Sequence, residues 1–250
     1  MRQDQRAQAP LNASGAVHTF DTALVDLLIE GDVELKGRMP WSSNSTFLVE
    51  VVRGDDVVRG VYKPGRGERP LWDFPGGLYR REVAAWVLSE LLGWGIVPET
   101  VLRDGPLGEG SVQRFVEADF RQHYFTLSED PTHHDALRRI CLFDLLANNT
   151  DRKSGHCLWA EGRVWAIDNG LCFHPVPKIR TVIWEFGGET ISEPLLADVE
   201  AMLSRLPGGL VALLGENEQK GLRQRAEWLL AHPVFPVPDP MEHCYPWPLV

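Results

Sequence analysis

The chain of 250 residues reads as an α+β protein in two lobes, a β-rich first half and a mainly helical second half. Three observations predict this. Between residues 33 and 63, and again between 98 and 116, short runs rich in β-branched residues alternate with Gly, Asn, Asp and Pro, the pattern of strands joined by turns. Between those runs, residues 78–92 instead place Val83, Trp86, Val87, Leu91 and Leu92 at helical spacing. Beyond residue 117 the helical period dominates. The expected divisions are a disordered polar lead-in over residues 1–18, a first lobe over 19–117, a second lobe over 118–232 and a Pro-rich tail over 233–250.

Each element has its own signal. Leu24, Val25, Leu27, Leu28 and Ile29 suggest a short helix that Gly31 can stop. The runs VELKG, STFLVEVV and VVRGVYK are strands, the last two joined at Gly54-Asp55-Asp56. Residues 98–101 and 111–116 are two more, flanking a Gly/Pro turn. Residues 134–147 form a helix leading into an Asn-Asn-Thr-Asp loop, and CLWA and VWAI form a hairpin around Glu161-Gly162-Arg163. Helices are expected near 195–206 and 217–231, with the tail extended over the surface.

Composition narrows the options. Hydrophobic residues at 44% and charged residues at 24% are those of a soluble globular protein. A net charge of −10 argues against a broad surface for nucleic acid or anionic membrane. Cys141, Cys157, Cys172 and Cys244 form no C-x-x-C pair, so reduced thiols are expected. The start MRQDQRAQAP lacks the apolar core of a signal peptide, and no run nears the ~20 apolar residues of a membrane span. A cytoplasmic protein without integral membrane association is the expectation. Most of the nine tryptophans fall in apolar runs and are expected in the core.

The chemistry concentrates in DLLANNTDRKSGHCLWAEGRVWAIDNG, residues 144–170. Asp151 sits in an Asn/Thr-rich loop after a helix, where its carboxylate either receives an acceptor's proton or merely caps a turn or pairs with Arg152. Asp168 follows the strand VWAI, and the hairpin between the two acids is the spacing that brings both to one divalent-cation site for phosphoryl transfer. His156 is a metal ligand, a phosphate contact or a half-exposed loop residue. His156, Cys157, Cys172 and His174 lack standard zinc spacing. In the first lobe, Ser43, Asn44 and Ser45 lie on a small-residue loop between strands that can approach phosphate oxygens. Lys63 closes a strand and is either a solvated edge cation or an inward phosphate contact. Glu82, on the next helix, either braces that lysine or lies on the surface.

These pieces occur in order over residues 37–175: SSNSTF, VYKP, REVAAW, LGWGIVPET, GSVQRFVEA, NNTDR and AIDNGLCF. In that order they resemble the phosphatidylinositol 3-/4-kinase-like family, closest to the type II phosphatidylinositol 4-kinases and their small bacterial relatives. The resemblance implies a two-lobed, protein-kinase-like fold with ATP in the cleft and Mg²⁺ or Mn²⁺ as cofactor. It implies that Ser43, Asn44 and Ser45 cover the phosphates, that Lys63 contacts them and that Glu82 braces Lys63. Gln113 to Glu117 would be the hinge, with the backbone of Phe115 and Val116 facing adenine. Asp151 would be the catalytic acid/base and Asp168 the metal ligand. Where the family has an Asn metal ligand, this chain has His156, an imidazole better suited to Mn²⁺ or softer ions. The long insertions and cysteine-rich membrane-anchoring segment of the lipid kinases are missing here. The expected activity is transfer of the ATP γ-phosphate to a hydroxyl of a small molecule or protein, the acceptor being open. A nucleotide-binding pseudokinase and an AMP-transferring enzyme are the alternatives, with a non-enzymatic binding module beside them.

Overall fold

The computed structural model describes residues 21–40 and 44–250; the expected lead-in over 1–18 and the phosphate-loop candidate Ser43 lie outside the described residues. Helix α1 (Thr22–Glu30) starts where the Asp21 carboxylate accepts from the backbone N–H groups of Ala23 and Leu24, satisfying donors that a helix start leaves open. It buries Val25, Leu27 and Leu28. Strands β1 (Asp32–Arg38), β2 (Phe47–Arg53) and β3 (Asp56–Pro64) follow as an antiparallel meander. The β2–β3 turn is the two-residue Gly54-Asp55, with Arg53 paired to Asp56 and Gly54 at φ +64°, a conformation glycine adopts without Cβ strain.

Helix α2 (Leu78–Leu91) leads to β4 (Thr100–Gly105) and β5 (Gly108–Arg114), which complete a five-stranded antiparallel sheet in the order β1-β2-β3-β5-β4. Val25 and Leu28 of α1 pack with Val49, Val51, Tyr62, Val101 and Val112 as the core of this lobe. Because side chains alternate along a strand, Tyr62 enters that core while Lys63 points the other way.

The remaining elements are α3 (Tyr124–Leu127), α4 (His134–Ala147), the hairpin of β6 (Cys157–Ala160) and β7 (Arg163–Ala166), then α5 (Glu193–Ser204), α6 (Gly208–Leu213) and α7 (Glu216–Ala231). Their core joins Leu137, Ile140 and Phe143 of α4 to Val199, Leu222 and Leu229, and it includes Ala84, Ala85, Leu88 and Leu92 from α2 and its end. Helix α2 therefore serves both lobes. Its Leu78, Val83, Ala84, Ala85 and Leu88 are all buried, as a helix wedged between two layers requires.

Several expectations shift. The fourth and fifth strands run over 100–105 and 108–114 rather than 98–101 and 111–116, because polar Arg103 and Asp104 lie on an edge strand, where they need no burial. The short helices α3 and α6 carry too few turns to show a period. Tryptophans are less buried than their apolar settings suggest: Trp94 and Trp165 are in the core, whereas Trp72 and Trp247 are almost fully exposed. The four cysteines are free and buried. The tail has no regular structure but is anchored, Phe235 and Cys244 being buried. Among the described residues no helix is long and apolar enough to cross a membrane.

Candidate active site between the lobes

Lys63, at the end of β3, reaches out of the sheet to two carboxylates at once. Its Nζ donates to Glu82 Oε1 on α2 and, at 2.7 Å, to Asp168 Oδ1. Glu82 is buried, and its second oxygen accepts the backbone N–H of Asn169 at 3.0 Å, so α2 holds both the lysine and the loop that carries Asp168. That loop leaves β7 through Ile167, whose N–H bonds His156 O at 3.0 Å, and turns at Asp168 with φ +55°. Asp tolerates this left-handed conformation better than most residues.

The charges interlock. Burial alone would favour a neutral Lys63, but the charges of Asp168 and Glu82 outweigh it and raise its pKa. Lys63 in turn holds Asp168 well below the usual carboxylate range. Burial raises Glu82, against the pull of the Lys63 ammonium. Although protein groups surround it, the Asp168 side chain is 52% exposed and open to solvent.

The loop after α4 is built on amides. Asn148 ends the helix at φ +50°, and its side chain bonds the carbonyls of His174 and Val176 and the N–H of Lys178. Asn149 donates to Asp144 Oδ1 and accepts the N–H of Asp151, both at 3.0 Å. Arg152 does not pair with Asp151. It turns inward, fully buried, to grip Asp144, Asn169 Oδ1 and Ile167 O. Asp151 is left facing outward beside Lys153, 3.2 Å away, with burial raising its pKa against that cation. The network of Asp144, Asn149, Arg152 and Asn169 was missed in the sequence. Its signal was Asp144, one acid on the apolar stripe of α4.

Other candidates are distributed around the cleft. Asn44 Oδ1 accepts the N–H of Arg69 at 3.0 Å, and the N–H of Ser45 bonds Gly67 O at 3.1 Å, so this end of the β1–β2 loop is tied to the segment after β3. Gln113 lies within β5, its side chain donating to Thr100 Oγ1 at 2.9 Å. The Phe115 N–H is taken by Arg59 O at 2.9 Å, and Glu117 pairs with the Arg59 guanidinium. Val116 is buried with Leu158, Ala160 and Trp165. Lys63, Glu82, Asp168 and His156 thus come together, Asp151 stands on the adjoining loop, and Gln113 belongs to β5, with Phe115 to Glu117 following that strand.

A divalent cation fits Asp168 better than His156. His156 Nε2 lies 3.4 Å from Asp168 Oδ2, while its Nδ1 accepts the Lys153 N–H at 3.3 Å. That acceptor role leaves the ring proton on Nε2, so a donor and not a lone pair faces the cleft. Burial lowers the His156 pKa to about 4, which keeps the ring neutral at pH 7. Among the described residues no group of three or more His, Cys, Asp or Glu could hold a metal ion.

The fold is of the protein-kinase-like class. It resembles the Golgi casein kinase with a TM-score of 0.54 at 15% identity, covering 86% of this chain and 75% of that one. The same kinase with Mn/ADP bound gives 0.54 at 14% identity over 84% and 74%. Hydra Fam20 with sugar gives 0.52 at 14% identity over 83% and 86%. No known protein-family profile matches the chain. In sequence it is 37% identical over 265 aligned positions to Protein Rv2133c of Mycobacterium tuberculosis (strain H37Rv), covering 89% of this chain and 94% of that protein. The chain belongs to the family of that mycobacterial protein.

Proposed function

We propose that the chain is an ATP-dependent phosphotransferase of the phosphatidylinositol 3-/4-kinase-like type that phosphorylates a hydroxyl on a small molecule or protein. The observation that carries this reading is Lys63 held between Glu82 and Asp168, with Asp151 on the loop beside them. The kinase-like fold and a neighbour solved with Mn/ADP support nucleotide plus a divalent metal as the ligands. The finer family likeness rests on the ordered motifs from SSNSTF to AIDNGLCF.

In this reading, binding of ATP exchanges the partners of Lys63 and Asp168. Lys63, braced by Glu82, would contact the phosphates, and Asp168 would hold the metal. The bound cation supplies positive charge against the phosphate oxygens. Ser43, Asn44 and Ser45 cover the phosphates, and the backbone at Val116, beside the engaged Phe115, meets the adenine. The acceptor oxygen attacks the γ-phosphorus, the bond to the ADP oxygen breaks, and the hydroxyl proton passes to Asp151. A pKa raised by burial makes Asp151 a better base than a solvated aspartate.

Calorimetry with ATP and Mg²⁺ or Mn²⁺ tests the reading directly; no heat and no rise in melting temperature would overturn it. A second reading, nucleotide binding without transfer, is favoured by one observation. The His156 proton on Nε2 leaves Asp168 alone at the metal position. Stoichiometric ATP binding with no phosphate transferred to any component of a lysate would select it.

A further inference from the structure

On the segment paired with the Asp151 loop, Arg180 is a cation that no carboxylate of the described residues meets in an ion pair. Residues 180–182 run parallel to the catalytic loop: Arg180 N bonds Asn149 O at 2.9 Å, Arg152 N bonds Arg180 O at 3.0 Å, and Val182 N bonds Arg152 O at 3.1 Å. Arg152 and Thr181 form the bridge and are both buried, each reaching Asp144. Alternation then turns the residues before them, Asp151 and Arg180, to the opposite side, away from Asp144.

The nearby lysines are already matched, Lys153 with Asp151 and Lys178 with Asp73 at 2.5 Å. Among the described residues the Arg180 guanidinium has no hydrogen-bond or ion-pair partner, and its Nε is buried and unsatisfied. Its charge still reaches Asp73, whose carboxyl is lowered first by the Lys178 hydrogen bond and further by Arg180. In a chain of net charge −10, a half-buried guanidinium left unpaired beside the proposed base is costly unless a ligand completes it.

We propose that Arg180 forms an anion subsite on the acceptor side of the cleft, so that the acceptor carries a phosphate or carboxylate near the hydroxyl that is phosphorylated. This rests on the phosphotransferase reading and adds a substrate class to it. The planar guanidinium suits a two-oxygen contact with either group. Its place beside Asp151, rather than beside Lys63, separates it from the nucleotide phosphates.

The test titrates inorganic phosphate into the full chain saturated with a non-hydrolysable ATP analogue and Mn²⁺, and into the chain alone. Arg180→Gln should weaken phosphate by at least about tenfold, the worth of one charged hydrogen bond, while leaving ATP affinity unchanged. Arg180→Lys, which keeps the charge without the fork, should fall between the two and stands in if the Gln variant does not fold. Absence of phosphate binding to the wild type at millimolar concentration overturns the subsite, as does equal affinity in the variants. A loss of ATP affinity matching that of phosphate assigns Arg180 to the nucleotide and overturns it too. Should ATP fail to bind while Arg180-dependent phosphate binding to the chain alone persists, the phosphotransferase reading falls and the anion site stands.

Discussion

Arg152 and Asp144 meet with neither side chain reachable by solvent, the guanidinium donating from both Nε and Nη2 to the carboxylate. Through Asn169 and Ile167 the same guanidinium ties the end of α4 to the loop that carries Asp168. Arg152→Ala leaves Asp144 charged and buried alone, so unfolding free energy should drop by about 3–5 kcal/mol. Urea denaturation measures it. A variant as stable as the wild type would show the pair to be dispensable.

Asp168→Asn keeps the side-chain volume and a residue that accepts the left-handed backbone, but removes the charge offered to a cation. Metal-dependent ATP binding should vanish from calorimetric titrations while the melting temperature stays close to that of the wild type. Equal nucleotide affinity in both proteins would contradict the assignment.

Asp151→Asn should separate binding from transfer. ATP affinity is expected to hold, and the phosphorylation rate to fall by about 10²–10⁴-fold, the usual worth of a positioned base. Parallel measurement of Kd and kcat decides. A fall in both to the same degree would make Asp151 a binding residue.

The sequence was informative where one period or one turn decided the outcome. α4, the turn expected at Gly54-Asp55-Asp56 and the hairpin of CLWA and VWAI follow from local pattern; α4 stands as expected, while Asp56 and Arg163 join the strands and Ile167 falls outside β7. The meeting of Lys63 with Glu82 and Asp168 was suggested by the order of motifs along the chain, since no local signal brings residues 63 and 168 together. The partner of Arg152 was not legible. Asp151 is its neighbour in sequence, and the choice of Asp144 depends on which way a loop turns once α4 and the hairpin have packed. His156 likewise showed as a candidate ligand, but which nitrogen carries the proton depends on the N–H of Lys153.

Because that N–H fixes the ring, ¹⁵N spectra of the wild type at pH 7 should show His156 neutral and protonated on Nε2. Observation of the Nδ1–H form would restore it as a metal ligand.

Glu90 on α2 gives a pH prediction away from the cleft. Burial, with the nearby Glu99 charge, raises its pKa from 4.5 to about 7. From pH 4.5 upward the unfolded chain gives up this proton while the folded chain keeps it, so the Glu90 contribution falls until about pH 7 and is flat above. Glu90→Gln should therefore gain on the wild type across that interval, by at most ~3 kcal/mol. Chemical denaturation at pH 5 and pH 8 checks it; a constant difference between the two proteins would contradict the shift.

The irregular C-terminal segment acts through its main chain. The Leu249 carbonyl accepts the Ser154 N–H at 2.8 Å, and the Cys244 carbonyl accepts from Thr181 N and Trp184 Nε1. A strap that grips by peptide oxygens is indifferent to most of its side chains but not to its length. Exchanging Met241 or Tyr245 for polar residues should pass unnoticed, whereas trimming a few residues would unfasten the very loops on which Asp151 and Arg180 ride.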